Sequence, residues 1–166
     1  MNHRRHIEGF LATKTILYTP IIMGVEQFEW EPHIFSEAFI NRISDLEIPE
    51  KLMLGKRAER YFSALVNQSS DYDMLAENVQ VISEKQTFGE FDFFVRRKSE
   101  TAAGSHEPSQ ILHVELVYKF YLFDPSIEGT EFQKWIGPNK GDRLDFKLEK
   151  LEKHQFPLLF NEAASN

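Results

Sequence analysis

The chain has 166 residues, of which 42% are hydrophobic, and this is enough for one globular domain with a buried core. It has no cysteine, which excludes disulfides and thiolate zinc sites and is typical of proteins of the reducing cytoplasm. The net charge of -7 argues against indiscriminate binding to nucleic acid or to an anionic membrane, because the field of the whole protein repels phosphates.

Residues 1–33 have mixed character and no clean hydrophobic period. The basic start, His3 to His6, is followed by a stretch that Glu8, Lys14 and Pro20 interrupt. Neither a signal-peptide core nor a membrane span is therefore expected. We predict a short helix and then a loop, in a cytoplasmic protein without a membrane partner.

A longer helix is predicted from Pro49 to about residues 67–70. Pro49 and the two charged residues after it are typical of a helix start. An apolar stripe at helical spacing follows, made of Leu52, Ala58, Tyr61, Phe62 and Leu65. Glu59 lies beside this stripe, so we expect its carboxylate to face the domain or its edge.

Three strands are predicted next, over residues 75–83, 88–98 and 110–123. The second and third are separated by residues 99–109, a polar segment of small side chains that is typical of a flexible hairpin loop. Antiparallel pairing of these two strands is the simplest consequence.

Two carboxylates interrupt these apolar strands, Asp92 in the second and Glu115 in the third. Alternation along the third strand places Glu115 on the same face as Val117 and Lys119. His113 shares that face and could be a ligand, although a lone histidine in a strand is more often structural. Burying an unpaired carboxylate costs several kcal/mol, so these acids need a lysine, a cation such as Mg²⁺ or a water-filled cleft.

The last predicted element is a helix over residues 141–155 with three stripes of different character. The basic stripe comprises Lys140, Arg143, Lys147, Lys150 and His154. The apolar stripe comprises Leu144, Leu148 and Leu151, and the acidic stripe comprises Asp142, Asp145, Glu149 and Glu152. The basic stripe is either the solvated side of an ordinary amphipathic helix or a ridge that faces nucleic-acid phosphates, with Lys140, Arg143, Lys147 and Lys150 as the contacts.

The order of these features, a helical glutamate, a strand aspartate, a strand glutamate with a following lysine and a basic helix, resembles the PD-(D/E)XK nuclease superfamily. Five short blocks carry a more specific resemblance over roughly residues 52–158. They are Leu54-Gly55 with Arg60, Gly89-Glu90-Phe91-Asp92, residues 113–120, Trp135-Ile136-Gly137-Pro138-Asn139 and Asp142-Arg143-Leu144-Asp145. Together they resemble the uncharacterised bacterial family known as domain of unknown function 1853.

The resemblance implies an α/β fold with a restriction-endonuclease-like core, in which helices flank a mixed or antiparallel central sheet. It also implies one nuclease-like domain over residues 1–166 with its core at about 50–158. In the superfamily's pattern Asp92 and Glu115 would hold Mg²⁺ or Mn²⁺, Glu59 would assist and Lys119 would supply the amine. The sequence departs from this pattern at Val117, which stands where the lysine usually lies. Lys119 is about 7 Å further along the predicted strand.

The function that this pattern implies is metal-dependent hydrolysis of phosphodiester bonds in nucleic acid, with DNA ahead of RNA as the partner. The alternative is a non-catalytic module of the same fold that binds nucleic acid or a partner protein, which Val117 and the acidic total favour. A third interpretation is that the chain is a fragment of a longer protein.

Overall fold

The structure, a computed structural model, describes residues 3–15, 21–30, 34, 36–43, 47–49, 51–98, 109–139, 141–161 and 164. They form an α/β protein with a three-stranded antiparallel sheet. The chain divides into two compact units. The first contains Met1–Glu77 and Asp92–Leu116, and the second contains Asn78–Phe91 and Val117–Asn166. No helix in the described part of the chain is both long and apolar enough to cross a membrane.

The first unit begins with helix α1, Arg4–Ala12, which confirms the short helix expected near the amino terminus. Where a loop is predicted, the chain instead forms a small hairpin of β1, Ile21–Ile22, and β2, Val25–Glu26. Met23 and Gly24 make its turn with positive φ angles of 52° and 76°. Both hairpin strands have only two residues, which is too short for a periodic signal.

Two more helices complete the helical part of this unit. Helix α2, Glu37–Ile43, has no counterpart among the predictions, although Phe39, Ile40 and Ile43 are buried. Helix α3, Leu54–Gln68, corresponds to the predicted central helix and ends where expected. The predicted start at Pro49 is wrong by five residues, because Met53 is extended and Pro49 forms a separate turn with Leu52. The three helices pack on one another.

The sheet contains strands β3, Tyr72–Ser83, β4, Gln86–Arg97, and β5, Gln110–Val114, in that order. The two-residue turn between β3 and β4 holds Glu84 and Lys85 at positive φ angles, as hairpins of this length require. Strands β4 and β5 are antiparallel, as predicted, with a register that runs from Phe93 opposite Val114 to Arg97 opposite Gln110. Most of the predicted hairpin loop, residues 99–108, lies outside the described residues.

The third strand differs most from its prediction, because β5 ends at Val114 and not at residue 123. Val114 is opposite Phe93, the last pair of the ladder, and Asp92 is the residue that precedes Phe93 on β4. The Asp92 carboxylate accepts a hydrogen bond from the Leu116 backbone N–H at 2.9 Å. A side chain therefore takes the N–H at the point where the strand ladder stops. The predicted shared face of Glu115, Val117 and Lys119 is wrong, since residues 115–121 form neither helix nor strand.

The core of the first unit is aromatic. The Phe62 ring of α3 packs on the Phe93 ring of β4, with ring centroids 4.6 Å apart. The ring centroids of Phe28 and Trp30 each lie 5.2 Å from that of Phe62, and the Phe28 ring also contacts the Tyr72 ring. These ring contacts hold helix α3 against strand β4.

In the second unit, strand β6, Leu122–Phe123, pairs with strand β7, Trp135–Ile136. Helix α4 is Leu144–Lys150, and its start is later than the predicted residue 141. The physical reason is that Arg143 is extended and forms a single β-bridge with Ile136. Beyond Lys150 the helical path continues as a π-helical turn, Leu151–Gln155, and then as a 3-10 turn of five residues, Phe156–Phe160, so it runs past the predicted end at residue 155.

Candidate carboxylate site

Strand β4 presents two different faces in the first unit. Phe93 and Val95 point into the core and are fully buried. Asp92 and Phe94 point to the opposite face, because successive strand residues alternate. The Phe94 ring contacts the ring of His113, its partner in the β4–β5 register, with centroids 5.4 Å apart. The Asp92 carboxylate thus lies on the face of the sheet that carries Phe94 of β4 and His113 of β5.

Glu59 is placed by the packing of α3. It lies one helical turn before Phe62, whose ring contacts the residue that follows Asp92 in the sequence. The Glu59 side chain is only 15% exposed, and it accepts a hydrogen bond from the Lys56 ammonium at 2.7 Å. The expected orientation of Glu59, toward the domain or its edge, agrees with this burial.

The negative charges of Glu115 and Glu59 act on the third predicted acid, Asp92. Burial first, and then the neighbouring carboxylates of Glu115 and Glu59, together raise the pKa of Asp92 to about 6. The Leu116 N–H and the Lys56 ammonium act in the opposite sense. Asp92 is therefore a carboxyl group close to other negative charge, with one backbone donor and one lysine in partial compensation.

Glu115 has a close partner in His113, the residue for which the sequence favours a structural role over a ligand role. His113 Nε2 lies 2.8 Å from Glu115 Oε1, and the two side chains are only 8% and 3% exposed. An ionised carboxylate only accepts hydrogen bonds, so the imidazole N–H is the donor. The spacing of two residues was a usable signal for this pair. The end of β5 between them was not readable from the sequence.

The chemistry of these side chains suits a hard divalent cation, since carboxylate oxygens are the ligands that Mg²⁺ and Mn²⁺ take. The raised pKa of Asp92, caused first by burial and then by nearby acids, is what a cation would relieve. Within the described ranges, no group of three or more histidine, aspartate or glutamate side chains is arranged to hold a metal ion. The described part of the chain thus does not itself show a metal site, and a cation bound here would need the carboxylates of Asp92 and Glu115, with Glu59 in support, to converge on it.

Lys119, the predicted amine, belongs to the second unit. Its ammonium forms an ion pair with the Asp142 carboxylate of the same unit. The Asp142 carbonyl also accepts the Gly137 N–H at 2.7 Å. Burial and then the charge of Asp142 raise the pKa of Tyr121 to about 12. Lys119 is thus part of a local network with Asp142.

The predicted basic ridge is only partly as expected. Lys140 lies outside the described residues, and Lys150 is exposed on α4. Arg143 precedes the helix, pairs with Asp145 at 2.6 Å and places its guanidinium 4.0 Å from the centre of the Phe146 ring. Lys147 donates a hydrogen bond to Gln155. The acidic and basic stripes were predicted to be separate, but Arg143 links them. Phosphate binding by this surface stays a prediction.

Fold and site together define an α/β protein whose antiparallel sheet carries a half-buried aspartate on one strand and a buried glutamate just after the end of the neighbouring strand. The chain belongs to the family described as Domain of unknown function (DUF1853), which matches residues 28–166. This match confirms the family resemblance stated from the sequence blocks. Neither the curated proteins nor the solved structures include a match to the chain.

Proposed function

We propose that this protein is a cytoplasmic, metal-dependent phosphodiesterase that cleaves nucleic acid and has a restriction-endonuclease-like core of the PD-(D/E)XK type. One observation carries the proposal: Asp92, held by the Leu116 N–H, shares a semi-buried region with the carboxylates of Glu115 and Glu59, whose side chains are 3% and 15% exposed, and their charges help to raise its pKa. Gathering acids in a semi-buried place costs free energy unless a cation or a proton compensates, so such groups are concentrated at functional sites.

Asp92 and Glu115 hold Mg²⁺ or Mn²⁺ in this proposal, and Glu59 is an auxiliary ligand. A bound ion would supply a Lewis acid for the phosphoryl group and would lower the pKa of water at the site. The Leu116 N–H fixes Asp92 through its hydrogen bond, so the carboxylate does not need to be ordered when the ion arrives. Phe62 and Phe93 fix the helix that carries Glu59 against the strand that carries Asp92.

The amine of the site is assigned to Lys56, with Lys119 as the residue to compare. Lys56 is bonded to Glu59, and its charge acts on Asp92. Lys119 is paired with Asp142 in the second unit. A positive charge beside the acids stabilises negative charge that develops on the phosphoryl oxygens.

Substitution of each lysine by methionine separates the two assignments. We expect Lys56→Met to lower the cleavage rate on the order of 100-fold, as for the loss of one oriented donor, and Lys119→Met to change it less than about threefold. Initial rates at saturating Mn²⁺ are the measurement. A large loss in Lys119→Met with a normal rate in Lys56→Met would return the role to the lysine predicted from the sequence.

The proposed activity is tested by incubating the whole chain with linear, nicked and single-stranded DNA and with RNA, in Mg²⁺ or Mn²⁺. We expect cleavage that stops with EDTA and is lost in Asp92→Ala. Asp73→Ala is a matched control, because Asp73 is an acid of the neighbouring strand that pairs with Lys98 at the surface. Absence of metal-dependent cleavage, or equal cleavage by wild type and Asp92→Ala, would refute the proposal. Comparison of the substrates tests the preference for DNA.

A second candidate function, a non-catalytic module that binds nucleic acid or a partner protein, is favoured by two contacts. Glu115 is almost fully buried and bonded to His113, and Lys119 is bonded to Asp142. A titration with Mn²⁺ separates the candidates, since metal binding to a working site depends on the ionised carboxylates of Asp92 and Glu115. A protein that binds DNA but neither binds Mn²⁺ nor cleaves belongs to the second class.

A further inference from the structure

The geometry points to His113 as a positioning residue: we infer that its imidazole orients the Glu115 carboxylate for the cation. This inference rests on the proposed function, because it assigns a task to the partner of a proposed ligand. It adds a residue that the metal-binding pattern predicted from the sequence does not contain.

The first support is the contact itself. His113 Nε2 and Glu115 Oε1 are 2.8 Å apart, which is a short and well-formed hydrogen bond to a carboxylate. Both side chains are almost completely withdrawn from solvent. Water therefore competes little for the Glu115 oxygen, and the bond restricts the rotation of the carboxylate more than an exposed contact does.

The second support is that His113 is itself held in place. It lies on β5 next to Val114, and its backbone is opposite Phe94 in the antiparallel register. Its ring lies at 31° to the Phe94 ring, with centroids 5.4 Å apart. A ring fixed by a strand and a neighbouring aromatic side chain can transmit that order to the group it bonds.

The third support is the position of Glu115 just after the end of β5. The hydrogen bonds of the strand ladder therefore do not order the Glu115 backbone, and another contact must fix the orientation of its side chain. Asp92 is ordered by the Leu116 N–H, and Glu115 is ordered by the His113 N–H. Each proposed ligand thus has its own hydrogen-bond donor, and carboxylates that bind metals usually have such a second contact.

The experiment compares three substitutions of His113 in the full chain, with Mn²⁺ alone as the probe. Glutamine keeps an N–H of similar reach, leucine keeps volume without a donor, and asparagine keeps a donor that is too short to reach Glu115. Mn²⁺ affinity is measured by calorimetry and by the electron paramagnetic resonance signal of free Mn²⁺. The urea midpoint of each variant without metal is recorded in parallel, and Asp73→Asn is the control acid.

We expect His113→Leu and His113→Asn to weaken Mn²⁺ binding by about 10- to 100-fold, and His113→Gln to remain within about threefold of wild type. A purely structural role would lower the urea midpoint but would leave the Mn²⁺ affinity of the folded protein unchanged. If the leucine variant does not fold, the asparagine variant provides the same comparison.

Two results would overturn the inference by itself: Mn²⁺ affinities of the leucine and asparagine variants equal to wild type, or a glutamine variant as weak as the leucine variant. The proposed function can fail separately. If wild type binds no Mn²⁺, the metal site and the role of His113 are both refuted. If wild type binds Mn²⁺ and only the substitutions have no effect, the metal site stands without His113.

Discussion

Replacement of Asp92 by asparagine is expected to make the protein more stable at neutral pH while it abolishes Mn²⁺ binding and metal-dependent cleavage. The asparagine side-chain oxygen can still accept the Leu116 N–H, so the end of β5 is preserved. The change removes only the negative charge. It therefore tests whether this charge is kept at the expense of stability.

The sign of the pH dependence follows from the pKa of Asp92, which burial and the nearby acids raise from 3.8 to about 6. Between these two values the folded state binds more protons than the unfolded state, so stability falls as the pH rises through this window. Above the folded pKa the full cost applies. After allowance for solvent screening of a partly exposed group, we expect Asp92→Asn to be more stable by about 1 to 2 kcal/mol at pH 7.5.

Urea denaturation at several pH values measures this difference. The advantage of Asp92→Asn should vanish near pH 4, grow up to about pH 6 and then remain constant. Mn²⁺ at 100 times its dissociation constant should stabilise wild type by about 2.7 kcal/mol and leave Asp92→Asn unchanged, which reverses the order of the two proteins. Asp73→Asn should change stability by less than about 0.5 kcal/mol.

A less stable Asp92→Asn variant at pH 7.5 would show that the carboxylate is well compensated in the folded protein. Stabilisation of that variant by Mn²⁺ would show that the cation binds elsewhere. The first result contradicts the proposed cost of the Asp92 charge, and the second contradicts the role of Asp92 as a metal ligand.

Truncation of Phe62 to alanine is expected to have the largest effect on stability, about 3 to 5 kcal/mol, which is a large part of the total for a domain of this size. Phe62 is only 2% exposed, and its ring contacts Phe93, Phe28 and Trp30. Because the loss leaves a cavity between α3 and β4, Glu59 and Asp92 should lose their fixed separation as well.

Thermal and urea unfolding of Phe62→Ala measure the cost, and Phe62→Leu should recover much of it. Phe160→Ala is the matched control, since Phe160 is 87% exposed and its truncation should change stability by less than about 0.5 kcal/mol. A Phe62→Ala protein within 1 kcal/mol of wild type would mean that the aromatic cluster does not hold helix and strand together.

The periodic spacing of apolar residues in the sequence predicts the elements that are long and have one buried face. The pattern predicts strands β3 and β4 to within a few residues and helix α3 correctly except for its start, since each carries a repeated apolar pattern. The hairpin β1–β2 and helix α2 were missed, because elements of two to seven residues contain too few positions for a period to be visible.

The errors in the site have a different cause. The end of β5 depends on one hydrogen bond from the Leu116 N–H to Asp92, residues that are 24 positions apart. The late start of α4 depends on the bridge between Arg143 and Ile136, and the partner of Lys119 is Asp142, 23 positions away. Such contacts are made by the folded chain, and no local pattern encodes them. The acids themselves could be chosen from the sequence, since a carboxylate in an apolar strand is unusual.

The hydrogen bond that terminates β5 links the chemistry of a side chain to the motion of the main chain. The same Asp92 carboxylate accepts the Leu116 amide and is the group whose charge changes near pH 6. Loss of that charge weakens the acceptor, so the amide proton of Leu116 exchanges with solvent at a rate that follows the state of Asp92. Hydrogen exchange of the Leu116 amide should therefore report whether the Asp92 carboxylate is protonated, ionised or bound to a cation.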